Sequence, residues 1–97
     1  MIVRFHRLAR RELRASHAWY RQRDTNAAEK FLAGVDDAIA RVEADPDSHP
    51  IERGPYRWVR IRQFPYRLIF ERHGIDTIFV IAVAHTSRRP GYWVRRR

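Results

Sequence analysis

The chain has 97 residues, 44% of them hydrophobic, with a net charge of +9, enough for one small domain over residues 1–97 with one core. It contains no cysteine, which excludes a disulfide framework and thiolate metal sites, and no run approaches the ~20 apolar residues of a membrane span. Met1 to Phe5 is too short and charged too early for the apolar core of a secretion signal, so the expectation is a soluble cytoplasmic protein without a membrane association.

Ile2 to Phe5 is a β-branched and aromatic run that reads as a first strand. From Arg7 onward, Ala9, Leu13, Ser16 and Tyr20 recur at helical spacing, with Arg10, Arg11, Arg14 and Arg21 largely off that stripe. Gln22 to Thr25 interrupts the helix, and Asp24 or Thr25 can cap a second one by accepting a backbone N–H. The second helix carries Ala28, Phe31, Leu32, Val35, Ile39 and Val42 on one stripe. Asp45-Pro46-Asp47 ends it, because proline lacks an N–H and clashes with the preceding turn. The short link between the helices implies an antiparallel hairpin.

Asp45 to Pro55 reads as a loop. Arg57 to Arg62 alternates, Val59 and Ile61 pointing one way and Trp58, Arg60 and Arg62 the other. Gln63-Phe64-Pro65 is a tight connection to a second alternating strand, Tyr66 to Arg72. His73-Gly74-Ile75-Asp76 is a hairpin turn in which the glycine supplies a positive φ. Thr77 to Ala84 is apolar on both faces and should be a central strand covered on both sides. The expected fold is α+β in the order β-α-α-β-β-β, a helical hairpin packed on a small, twisted, mainly antiparallel sheet.

Charge is distributed unevenly along this order. Residues 1–23 carry seven Arg against Glu12, a balance of +6; residues 24–52 carry eight acids against Lys30 and Arg41, a balance of −6; residues 53–97 carry eleven Arg against Glu71 and Asp76, a balance of +9. If the two basic ends meet, they form one positive field suited to phosphates or an acidic protein. Nineteen of the twenty basic residues are Arg, a side chain suited to bidentate anion binding, although a GC-rich genome produces the same bias.

Two linked segments carry a family resemblance: Phe64-Pro65-Tyr66-Arg67-Leu68-Ile69-Phe70, then Ala82-Val83-Ala84-His85 followed by Arg88-Arg89-Pro90-Gly91-Tyr92-Trp93. In this order, on this scaffold, the chain resembles over essentially its whole length the ParE/RelE superfamily, the small toxins of bacterial type II toxin–antitoxin pairs. The resemblance implies a growth-inhibiting toxin neutralised by a cognate antitoxin, whose disordered and often acidic segment folds over it, in a toxin–antitoxin hetero-oligomer. RelE-type members resemble ribonucleases that cut messenger RNA on the ribosome. ParE-type members poison DNA gyrase and have no established hydrolytic site. Fold alone does not separate the branches.

If the chain is an enzyme, the implied activity is a metal-independent endoribonuclease, with no cofactor. Such cleavage needs a base for the 2′-OH, a cation for the phosphate and an acid for the leaving oxygen. The resemblance puts Arg67 and His85 at the positions of an arginine and a histidine in some RelE-type enzymes, Glu52 at the base, and Tyr92 where a side chain stacks on or donates to substrate. Each residue has a plain structural alternative: His85 as a strand cap, Arg67 paired with Glu71, Glu52 as a solvated loop acid, and Tyr92 and Trp93 packing the tail on the core. Trp19 reads as a packing residue.

Without catalysis, Trp58, Arg60, Arg62, Arg88, Arg89 and Trp93 are the candidates for binding a partner or a nucleic acid. His6, His17, His49, His73 and His85 have no metal-ligand spacing. His85-Thr86-Ser87 lacks the glycine-flanked serine of a nucleophile elbow, and no glycine-rich phosphate loop is present. RelE-type ribonucleases are lysine-rich at the active site, whereas this chain has only Lys30, on the acidic second helix. The reading therefore leans to a ParE-like gyrase poison, with a RelE-type messenger endonuclease or a non-catalytic nucleic-acid-binding or interaction domain as alternatives.

Overall fold

A computed structural model describes residues 1–97. The elements are β1 (Ile2–Phe5), α1 (Arg7–Arg23), α2 (Thr25–Ala44), a short 3-10 turn at Pro46–Ser48, β2 (Ile51–Arg53), β3 (Tyr56–Ile61), β4 (Tyr66–His73) and β5 (Thr77–His85). They form one five-stranded sheet in the order β1-β5-β4-β3-β2. β1 runs parallel to β5, and the other pairs are antiparallel. This is the expected α+β order with one addition. The segment read as an uninterrupted loop contains β2, which adds to the sheet beside β3 through the pairing Ile51↔Arg57. Three residues beside Pro50 are too few to show an alternating pattern, so pairing with β3 decides the assignment.

The two helices meet at a single residue. The Asp24 N–H donates to the Tyr20 carbonyl at 2.7 Å, closing α1, while its carboxylate accepts the Asn26 N–H at 2.9 Å, opening α2. Of the two candidate caps, Asp24 is the one used. At the other end of α1, His6 Nδ1 accepts the Leu8 N–H at 3.0 Å. That leaves Nε2 as the protonated nitrogen, which donates to the Arg97 main-chain oxygen at 2.9 Å.

The helices cover one sheet face. Phe31, Val35, Ala38 and Val42 of α2 are buried against Val59, Ile61, Tyr66, Leu68, Phe70, Ile78, Val80 and Val83, and Ala28 is buried as well. Gly34 permits the close approach of α2, since a Cβ there would lie 3.0 Å from Ile61 Cγ2. Leu32, expected on the stripe, is 37% exposed; it follows Phe31 by one position and so lies ~100° around the helix. Trp19 also departs from expectation. It is 49% exposed and stands edge-on to Tyr20 at 5.0 Å, with the Arg23 guanidinium 3.7 Å above its ring.

The opposite face is covered by the C-terminal tail. Ile69, Ile81, Ala82, Ala84 and Trp93 form a second, smaller core, flanked by Tyr56, Trp58, Phe79, Tyr92 and Val94. β5 is therefore central and covered on both sides, as its two-sided apolar pattern requires. Gly74 turns the β4–β5 hairpin with φ +66, a conformation that costs glycine little. No helix is long and apolar enough to cross a membrane.

Candidate functional site

β1 pairs with β5 only from Thr77 to Val80, so the rest of that edge of β5 has no strand beside it. Buried backbone groups need partners, and side chains supply them here. Glu12 Oε1 on α1 accepts the Val83 N–H at 3.0 Å, and Arg96 Nη1 donates to the Ile81 carbonyl at 3.1 Å. The same two residues form a forked ion pair, Arg96 Nη1 to Glu12 Oε1 and Nη2 to Oε2, each at 2.8 Å. The Tyr92 hydroxyl donates to Glu12 Oε2 at 2.7 Å.

Burial alone would raise the Glu12 pKa. The hydrogen bonds from Arg96, Tyr92 and Val83, together with the Arg96 charge, outweigh it and hold the carboxyl below its ordinary 4.5. Burial first, and then the bond to the Glu12 carboxylate, push the Tyr92 phenol well above its ordinary value. Glu12 and Arg96 were not singled out in the sequence because neither stands in a motif. The available signal was slight: Glu12 is the one acid in the basic first helix.

The clip fixes the tail, and the tail carries candidate residues. Successive tight turns, from the Arg88 N–H to the His85 carbonyl and from the Tyr92 N–H to the Arg89 carbonyl, fold residues 85–92 over the end of the sheet. A depression of about 260 Å³ results, bordered by Arg67, His85, Thr86, Arg88, Arg89 and Tyr92 among others. The Arg88 guanidinium lies 3.9 Å above the Tyr92 ring. Trp93 is 2% exposed and edge-on to Tyr56 at 5.0 Å. This is the core-packing alternative for Trp93, which also borders the depression at its edge.

Arg67 does not pair with Glu71. It reaches across β3 to Glu52, with Nη1–Oε1 at 3.2 Å and Nη2–Oε2 at 3.4 Å, and its guanidinium sits 4.9 Å above the Trp58 ring. Glu71 instead meets His73 Nε2 at 3.0 Å. Glu52, expected in a loop, belongs to β2 and is partly buried by its arginine partner. Arg60 is the cross-strand partner of Arg67. Arg62 is separated from this group and lies 3.8 Å from Asp37 of α2.

The sheet register separates the two candidate catalytic residues. His85 pairs with Tyr66, and Arg67 with Ala84. Tyr66 belongs to the helix-side core and Ala84 to the tail-side core, so His85 and Arg67 leave opposite faces of the sheet while bordering the same depression at its end. His85 packs edge-on against Tyr66 at 4.9 Å. Its Nδ1 is 3.0 Å from the Ser87 N–H and 2.7 Å from Ser87 Oγ. On the α1 side it also borders a larger depression of about 420 Å³ with Ser16, Trp19, Tyr20, Pro65 and Tyr66.

The architecture is thus a helical hairpin on a five-stranded mixed sheet, closed by an arginine-bearing tail. Among solved structures, the chain is similar to one described as "Chromosomal ParDE TA system from P. aeruginosa", with a TM-score of 0.61, 21% sequence identity, and coverage of 88% of this chain and 95% of that one. At that identity the likeness establishes the fold. Residues 3–90 match the family described as "ParE toxin of type II toxin-antitoxin system, parDE", and the chain belongs to that family. A comparison with curated proteins finds no match.

Proposed function

We propose that this ParE-family toxin arrests growth in the cytoplasm by poisoning DNA gyrase, not by cutting RNA. The observation that carries the reading is how the four candidate ribonuclease groups are disposed: two are paired with each other, one is held by Glu12, and His85 leaves the other face of the sheet from Arg67. The would-be base Glu52 is neutralised by Arg67. The Tyr92 hydroxyl is held by Glu12, and its raised pKa makes the phenol a poor proton donor. His85 and Arg67 leave opposite sheet faces. General acid–base catalysis requires such groups within hydrogen-bond reach of one reacting centre, and this arrangement favours a surface that binds.

Growth arrest on induction and gyrase-dependent DNA breaks with purified protein test the reading. His85→Ala should leave both largely unchanged, whereas the double change Arg88→Ala and Arg89→Ala should remove both. Deleting the tail from Arg88 onward is a poorer test, because it also removes Trp93 from the core and Arg96 from the clip. Ribosome-dependent cleavage of a message, lost in His85→Ala, would place the chain with the RelE-type enzymes instead.

A cognate antitoxin is the partner this reading requires. Its apolar anchor fits the depression between α1 and the sheet, where Trp19, Tyr20 and Tyr66 offer aromatic surface. An acidic stretch then extends over Arg88 and Arg89, giving a toxin–antitoxin hetero-oligomer. Exposed charge pairs contribute about 0.2–1 kcal/mol each and are screened by salt. A few of them correspond to an affinity loss on the order of tenfold between low and high salt, measurable by titration calorimetry. A salt-insensitive complex, or one that maps to the acidic outer face of α2, would reject this arrangement.

A further inference from the structure

We infer that the arginine depression at the end of the sheet is a binding site for the phosphate backbone of duplex DNA, used by the toxin directly and without gyrase. This goes beyond the reading above, since poisoning an enzyme does not require its inhibitor to touch DNA. The depression has Arg67, Arg88 and Arg89 on its border, with Glu52 just outside it balancing the charge of Arg67. Arg53 adds a fourth guanidinium, its Nη2 lying 3.4 Å from where a Gly91 Cβ would be.

Two of these guanidiniums are held in place before any ligand arrives. Arg67 is tied to Glu52 and lies over Trp58. Arg88 lies over Tyr92, whose hydroxyl is anchored on Glu12. Ordering side chains in advance lowers the entropic cost of binding, and planar guanidiniums match phosphate oxygens. At about 260 Å³, the depression falls below the ~300–1,000 Å³ of sites that enclose a small molecule, so it suits a strand that passes over it.

The aromatic side chains select duplex over single strand. Single-strand binders present bare rings on which bases stack. Here Trp58 and Tyr92 are each capped by a guanidinium, and Trp93 is buried. Each ring at this depression has a guanidinium over it or lies in the core, while the charges of Arg53, Arg88 and Arg89 remain for the phosphates of a duplex whose bases stack on one another.

Fluorescence anisotropy of a labelled mixed-sequence duplex, titrated with the purified chain between about 50 and 200 mM salt, tests the inference with no gyrase or antitoxin present. The expected slope of log affinity against log salt is about −3, for three neutralised phosphates. Arg88→Ala and Arg89→Ala should each weaken binding and reduce that slope by about one. Arg10→Ala and Arg14→Ala, on the basic outer face of α1, should change neither, and circular dichroism checks that every variant is folded. Absence of binding at the lowest salt, a slope unaltered by the tail changes, an equal loss from the α1 changes, or tighter binding of the single strand would each overturn it. Gyrase-dependent breakage is read separately, so failure here leaves the gyrase reading standing and its failure leaves this one.

Discussion

Phe31→Ala should cost about 3–5 kcal/mol, a large share of the stability of a domain this small. Phe31 is fully buried at the centre of an aromatic group, with ring centroids 5.2 Å from Tyr20, 5.4 Å from Phe64 and 5.2 Å from Tyr66. It therefore joins α1, α2 and the β3–β4 connection at one point. Truncation leaves a void bounded by rings from three different elements, and they cannot all collapse into it without moving backbone. A domain of this size has only about 5–15 kcal/mol of total stability. Urea denaturation followed by circular dichroism gives the loss directly. A cost below about 1.5 kcal/mol, the range of a well-tolerated hydrophobic swap, would show that the helical hairpin is not held on the sheet as described.

Glu12→Gln should have the second largest effect, about 1.5–3 kcal/mol for hydrogen bonds to a charged group. The Glu12 carboxylate serves three donors, one on β5 and two in the tail: the Val83 N–H, the Tyr92 hydroxyl and the Arg96 guanidinium. The neutral amide supplies a single acceptor oxygen and two hydrogens that point at donors. The pH dependence follows from the depressed carboxyl pKa. A group with a lowered folded pKa contributes stability that is fully present above its unfolded value, here 4.5, and lost as pH falls through the folded value. The gap in melting temperature between the native chain and Glu12→Gln should therefore be widest near neutral pH and close in acid. A gap that stays constant with pH would separate the stabilising role of Glu12 from its charge. Hydrogen exchange at the Val83 amide offers a local check, since that N–H should lose protection in the variant.

The two effects also differ in what they do to function. Loss of Phe31 weakens the whole domain, and with it every surface together. Loss of the Glu12 charge loosens Tyr92 and Arg96 first, and Arg88 rests on the Tyr92 ring. Growth arrest should therefore fall in Glu12→Gln before the fold does.

Much of the architecture was legible along the chain, because it rests on local regularities. The stripe of Phe31, Val35 and Val42 marks a helix with one apolar side, the alternation of Val59 and Ile61 with Trp58 and Arg60 marks a strand with two different faces, and Thr77 to Ala84 shows no polar side at all. Period and turn chemistry are properties of neighbouring residues, so they can be read without knowing what lies across the fold. The family resemblance was legible for a related reason: the Phe64–Phe70 and Ala82–Trp93 segments are contiguous runs.

What the tertiary structure decided are the pairings between residues far apart in sequence. Strand β2 exists because β3 lies beside it; three residues carry no periodic signal of their own. Glu52 meets Arg67 across a strand, in place of the nearer Glu71. Trp93 became core when the tail folded over Ile69 and Ala82. Register set His85 and Arg67 on opposite faces, since side chains alternate with a period of two and a one-residue difference in position exchanges sides. Glu12 and Arg96, 84 residues apart, complete an edge of β5 that β1 leaves open. The sequence by itself determined the two helices, the four longer strands and the family they belong to, through local pattern and contiguous motif. Which charges find one another, and which remain free to meet a ligand, depends on long-range geometry that no local pattern encodes.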